Sequence, residues 1–292
     1  MSYDEETLKI RGQAQHYYEL GRYEQALPKI DQLLAINPYD NDVLFMRAGT
    51  LSSFERYDEA IDCCRQALAN GYSAVDGNYI LGNVLMETGR YIEAEECFLE
   101  ALRINPERAD ILADYGELML KTGHNKKAKA LIEQALSIDP NDETVLLVHF
   151  YYRLAMHNRT AQAEALKRYM QTADSDVSKL ALIGLMEYNN GNSKAARESF
   201  RQVYLLDPAN KDILSLLEDL EKEGSIFYWP QRVIKKVGGP AVFWIGIIVL
   251  FFGLRALGFP KAAFITAVIY FIFCVYTWIM PFIYKGIKKI RG

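Results

Sequence analysis

Along the first 210 residues, small and bulky apolar side chains recur on a fixed beat. An alanine stands every 34 residues, at Ala26, Ala60, Ala94 and Ala128, and again two beats later at Ala196. Four residues after each comes Ile30, Cys64, Phe98, Ile132 or Phe200; seven after comes Leu33, Ala67, Ala101, Ala135 or Val203. Spacings of four and seven keep side chains on one stripe of a helix, so each beat predicts an amphipathic helix with a close-packed seam at its alanine. A period of this length predicts stacked helix pairs, in which no single unit buries its own apolar face. Beyond Gly224 the pattern changes. Every residue from Ala241 to Leu254 is apolar or glycine, and Ala262 to Tyr284 runs for 23 residues without a charge.

The punctuation has the same period. Five residues before the alanine stand Gly21, Gly89, Gly123 and Gly191, with Glu55 in the second unit; twelve after it stand Pro38, Pro106, Pro140 and Pro208, with Tyr72 in the second. Glycine tolerates the positive φ of a tight turn between two helices, and proline stops the second helix and seats the next. The fifth unit carries Gln162, His157 and Asp174 where alanine, glycine and proline are expected. A shifted second helix or a longer turn is expected there. Residues 211–223, apolar at Ile213, Leu214, Leu216, Leu217 and Leu220, predict one more amphipathic helix that closes the stack.

In the first helix of the third unit the chain reads Asn78-x2-Leu81-Gly82-x2-Leu85, and in the fourth Leu112-x2-Tyr115-Gly116-x2-Met119. Ala14, Ala48 and Gly184 keep the small eighth position in the first, second and sixth. The chain thereby resembles the tetratricopeptide repeat family. In that register the repeats run 7–40, 41–74, 75–108, 109–142, a degenerate 143–176 and 177–210, with a cap at 211–223. The resemblance implies an all-α solenoid of about six helix-turn-helix repeats plus a capping helix, residues 1–223.

It also implies that the first helix of each pair lines a concave groove. Carried over by register, the groove positions are Phe45 and Met46 in the second repeat and Tyr79, Ile80, Asn83 and Met86 in the third. The fourth repeat supplies Asp114, Glu117 and Leu120, and the fifth Leu147, Val148 and Tyr151. Asn83 matches the family's asparagine that bonds to the backbone of an extended peptide. Members that hold acidic chaperone tails do so with a clamp of Lys, Asn and Arg. The matching places here are Arg11, Gln15, Met46, Asp76 and Ile80, so only the first keeps its charge. The implied partner is instead an apolar or basic peptide, because the tyrosines supply area and the carboxylates select cations.

Charge divides the chain more sharply than its totals suggest. All 37 acidic residues and 24 of the 33 basic ones lie in residues 1–223, a formal charge of −13; the rest carries nine basic residues and no acid, +9. An acidic module is repelled by phosphate backbones, which argues against nucleic acid as a partner. The basic residues flank apolar runs, as at an anionic membrane surface. Residues 224–238, with Trp229, Arg232, Lys235 and Lys236, predict an interfacial segment. Residues 239–292 predict a transmembrane hairpin, with runs of about 240–258 and 262–284 joined at a turn flanked by Arg255 and Lys261. Lys285, Lys288, Lys289 and Arg291 follow the second run. Seven basic residues outside the hairpin against two in its turn place both ends in the cytoplasm. The alternative is a first run that dips into the bilayer without crossing.

Little else carries chemistry. His16, His124, His149 and His157 have no metal spacing, the four cysteines have neither zinc nor redox spacing, and no phosphate loop or nucleophile elbow is present. The acidic start Met1-Ser-Tyr-Asp-Glu-Glu lacks the pattern of a secretory signal. The expectation is a non-enzymatic scaffold without cofactor or metal, integral to a bacterial inner membrane with its repeats in the cytoplasm, binding a protein or peptide partner and membrane lipids. An alternative makes the hairpin the working part of a transport or secretion complex, with the repeats docking it.

Overall fold

The computed structural model describes residues 5–208, 210–224, 228–229, 233–234 and 237–291, and every regular element among them is a helix. The expected interfacial positions Arg232, Lys235 and Lys236 lie outside the described residues. The chain forms two compact units, Met1–Asp174 and Ser175–Gly292.

The first unit is five helix pairs: α1 (Glu5–Glu19) with α2 (Tyr23–Ile36), α3 (Asn41–Ser53) with α4 (Tyr57–Ala69), α5 (Ala74–Glu87) with α6 (Tyr91–Ile104), α7 (Ala109–Lys121) with α8 (Asn125–Ile138), and α9 (Glu143–Ala155) with α10 (Arg159–Thr172). Local chemistry sets many of the helix starts. The side chains of Asp40, Ser73, Asp142 and Asn158 accept from the backbone N–H three residues on and so cap α3, α5, α9 and α10. The turns inside the pairs need a positive φ, which Gly21, Gly89 and Gly123 supply. Glu55 and His157 adopt φ of 58° and 53° at the equivalent places. The turn of the fifth pair, residues 156–158, is therefore no longer than the turn at 122–124, contrary to the expected lengthening. Once the backbone geometry is forced by the helices on either side, a non-glycine residue accepts the strain.

Packing follows the small-to-bulky register. Ala26, Ala60, Ala94 and Ala128 are wholly buried. A β-carbon on Gly82 would lie 2.8 Å from the ring of Phe98, and one on Gly116 2.8 Å from Ile132, so these glycines let the paired helix seat a bulky side chain. The fifth repeat inverts the scheme: Phe150 fills the small position of α9, and Gln162, also wholly buried, replaces the alanine of α10. Both polar atoms of the Gln162 side chain are without a partner.

The first helices of neighbouring repeats pack on one another, α1 on α3, α3 on α5, α5 on α7 and α7 on α9, while α2, α4, α6 and α8 each pack on the first helices to either side and α10 packs on α9. This arrangement puts the first helices in one layer and the second helices in another.

The second unit contains α11 (Asp176–Asn189) and α12 (Ser193–Leu206), the amphipathic α13 (Lys211–Gly224), then α14 (Pro240–Ala256) and α15 (Pro260–Arg291). Ala196, Phe200 and Val203 of α12 form a core with Ile213 and Leu220 of α13. Phe243 of α14 meets Phe273 of α15 with ring centroids 5.3 Å apart. Pro260–Thr277 is the one stretch among the described residues long and apolar enough to cross a membrane, with a mean hydropathy of 1.6 and 6% of it buried. The apolar stretch of α14, Ala241–Ala256, is shorter.

Candidate functional site

The layer of first helices in the first unit gathers its chemistry between α5 and α7. The Tyr79 hydroxyl donates to Oδ2 of Asp114 at 2.8 Å, and the Asn83 amide N–H donates to the same oxygen at 3.1 Å. Register brings them together, since 79 and 83 are one helical turn apart on α5 and face the middle of α7. Asp114 is only 8% exposed. Burial, together with the like charges of Glu117 and Asp110, pushes its carboxyl up to about 7 against the opposing hydrogen bonds from Tyr79 and Asn83. The Tyr79 phenol is driven far above its ordinary value by burial first and by Asp114 second.

Among the described residues no cation pairs with Asp114. The nearby cations are committed elsewhere: Arg108 grips Asp110 through two hydrogen bonds of 2.9 and 2.6 Å, reaches Asp76 at 2.8 Å, and lies over the Tyr79 ring at 5.7 Å. Those hydrogen bonds, the Asp110 pair foremost, raise the affinity of the guanidinium for its proton. Lys121 bridges Glu117 at 3.2 Å and Glu87 at 3.1 Å. Asn83 has spent its N–H on Asp114, and its Oδ1 is sealed from water with no donor.

The remaining groove positions separate by depth. Ile80, Leu120, Leu147 and Tyr151 are half-buried and line the surface, and burial followed by Glu117 raises the Tyr151 phenol. Met46, Met86 and Val148 lie in the cores beneath. Phe45 stacks on Tyr72 at 4.3 Å with 19° between the rings, a pairing the register does not announce because Tyr72 stands in a proline's place. The Asp114 cluster was also invisible in the groove pattern, which gives the direction a residue faces but not how deeply the next helix covers it.

Other expectations fall as follows. Arg11 is bound to Asp40 and Asp42, and Asp76 to Arg108, so the clamp positions are occupied internally. Cys63 and Cys64 are buried and Cys97 is half-buried. In the second unit Arg255 and Lys261 are exposed on either side of the α14–α15 turn, and Trp229 sits edge-on to Phe273 at 6.4 Å. Lys285, Lys288 and Lys289 belong to the last turns of α15, their side chains outside the described residues. A cleft of about 540 Å³ between α12 and α13 is lined by Arg197, Glu198, Arg201 and Tyr204 from α12 and by Glu218 and Glu221 from α13, a mixture of both signs that favours no ligand class.

Family models described as tetratricopeptide repeat match residues 11–75, 47–109, 85–148 and 180–210. No curated protein matches the chain. Among solved structures, a tetratricopeptide repeat protein from Parabacteroides merdae is similar at 14% identity, over 74% of this chain and 84% of that one, with a TM-score of 0.63. PilW, described as a widely conserved type IV pilus biogenesis factor, is 20% identical over 74% of this chain and all (100%) of its own, with a TM-score of 0.54. The pilF protein of Pseudomonas aeruginosa is 20% identical over 74% of this chain and 97% of its own, with a TM-score of 0.50. At these identities the likeness speaks for the fold alone.

Proposed function

Because the chain belongs to the tetratricopeptide repeat family, we propose that it is a non-enzymatic adaptor that captures an extended segment of a partner protein on the inner face of α5, α7 and α9 and holds it at a membrane. One observation carries the membrane half. The apolar window of α15 is 6% buried, so it is not a core helix of this chain, and exposed apolar surface of that extent is destabilising in water. With α14 alongside, the two helices form a hairpin anchor whose flanking basic residues favour both ends, and the repeats, on the cytoplasmic side of a bacterial inner membrane. At 17 residues α14 is ~26 Å long, at the lower limit for crossing. The groove half rests on half-buried tyrosines beside carboxylates, a surface suited to apolar or basic segments.

Alkaline carbonate washing of membranes tests the anchor. The full chain should stay in the membrane pellet, and a chain ending at Glu223 should be released. Release of the full chain would overturn the reading.

A second reading makes the hairpin an integral subunit of a transport or secretion complex. It is favoured by Gly246 and Gly253 of α14, seven residues apart with open space where a side chain would stand, a face on which another membrane helix could pack closely. Exchanging the hairpin for an unrelated anchor separates the two readings, since an adaptor keeps its function and a subunit loses it.

A further inference from the structure

The inner face of α5 and α7 lacks one charge. Asp114 is a buried carboxylate whose hydrogen-bond donors, Tyr79 and Asn83, are both neutral, and whose charged neighbours, Asp110 and Glu117, share its sign. A buried charge without a counterion is among the more destabilising arrangements a fold can hold. Beside it, Oδ1 of Asn83 is an acceptor sealed from water with no donor. Arg108 and Lys121 are engaged with other carboxylates, Arg108 with Asp76 and Asp110, and Lys121 with Glu87 and Glu117. The two defects, a carboxylate without a cation and a carbonyl oxygen without a donor, sit on side chains already joined by a 3.1 Å hydrogen bond, with Glu117 one turn along α7.

We propose that the groove contains a seat for one lysine or arginine side chain of the partner, whose cation pairs with Asp114 and donates to Oδ1 of Asn83 while Tyr79 and Tyr151 flank its aliphatic stem. This rests on the groove reading above and sharpens it. The partner segment is set in register by a single basic residue, with apolar residues on either side meeting Ile80 and Leu147. A lysine or arginine fits because its long methylene chain crosses half-buried apolar surface before presenting the charge. An acidic or neutral polar side chain would leave the carboxylate unpaired.

The test uses the full chain in lipid nanodiscs and a random dodecapeptide library displayed on phage. Peptides whose binding is lost on Ile80→Asp are taken as groove ligands. We expect them to share one lysine or arginine at a fixed position among apolar residues. Replacing that residue by norleucine in a synthetic peptide should weaken binding by roughly 30-fold or more. Asp114→Asn should weaken the lysine peptide to the same extent and leave the norleucine peptide unchanged, a coupling that a merely structural role for Asp114 would not produce. Groove ligands without a shared cation, or a lysine peptide indifferent to Asp114→Asn, would overturn the seat and leave the groove standing. A library that yields no peptide sensitive to Ile80→Asp would overturn the groove and the seat together.

Discussion

The hydroxyl of Tyr79, on the first helix of the third repeat, donates to Asp114 on the first helix of the fourth at 2.8 Å, and so fastens two repeats through a carboxyl group that has no counterion among the described residues. On the proposal above, the contact serves a partner rather than the stability of the free protein. A fold selected for stability alone would have put an amide or an apolar side chain there.

Stability should therefore respond to pH in an unusual sense. Asp114 titrates near 7 in the folded chain and near the ordinary carboxylate value when unfolded, so between about pH 4 and 7 the native state holds the extra proton. Its contribution is fully present at low pH and is lost as pH rises through 7. The groups facing it are Tyr79 and Asn83 from α5 and Asp110 and Glu117 from α7 itself. We expect Asp114→Asn to stabilise the repeats at pH 8 by on the order of 1–3 kcal/mol and to change nothing at pH 4. Amide exchange in α5 and α7, compared at the two pH values, measures it; equal effects at both would refute it.

Gln162 is a polar defect in the packing of the fifth repeat. It is wholly buried with both polar atoms unpartnered, which costs about 1–3 kcal/mol. Gln162→Met keeps the length and removes the polarity. We expect a gain of about 1 kcal/mol or more, read as slower amide exchange in α10; faster exchange would show that the amide is needed.

The glycines divide by environment. A β-carbon at Gly82 would stand 2.8 Å from the ring of the wholly buried Phe98, whereas one at Gly12 meets nothing within 4 Å. Gly82→Ala should destabilise by about 1–3 kcal/mol through overpacking, and Gly12→Ala should stabilise by up to about 1 kcal/mol through helix propensity. Thermal unfolding of each variant in detergent decides it, and equal shifts of the same sign would contradict the packing described.

The alanine beat and the Gly82 and Gly116 positions made the repeat architecture legible, because a helix seam needs small residues at fixed places and tolerates little else. The turns at Glu55 and His157 were less legible. Their positive φ is imposed by neighbouring helices, and a sequence signal for it is present only when glycine is used. The division after Asp174 follows the repeat whose alanine, glycine and proline are all replaced, but the pattern marked an irregular repeat there and not a boundary between compact units. For the expected groove positions, register carried no information about depth. Met46, Met86 and Val148 were expected beside Ile80 and Leu147 yet lie in the cores, and Asp114 reads as one more carboxylate until its 8% exposure is known.

The proposed anchor has its own signature. Ile269 of α15 is 62% exposed, as is expected of a side chain that faces lipid. Ile269→Arg should cost about 2.5–3.5 kcal/mol of insertion free energy and lower the fraction that resists carbonate. Leu205→Arg on α12, at a side chain 71% exposed, should leave that fraction unchanged. Equal behaviour of the two variants would argue against a membrane position for α15.

Site-specific photocrosslinking in intact membranes addresses the adaptor most directly. A photoreactive residue would be placed at Leu147 on the groove side of α9, and in a control at Ile92 of α6, which is 78% exposed on a second helix. We expect one discrete protein adduct from Leu147, abolished by Asp114→Asn, and none from Ile92. Adducts of equal yield from both positions, or none from Leu147 while the chain remains membrane-bound, would contradict it.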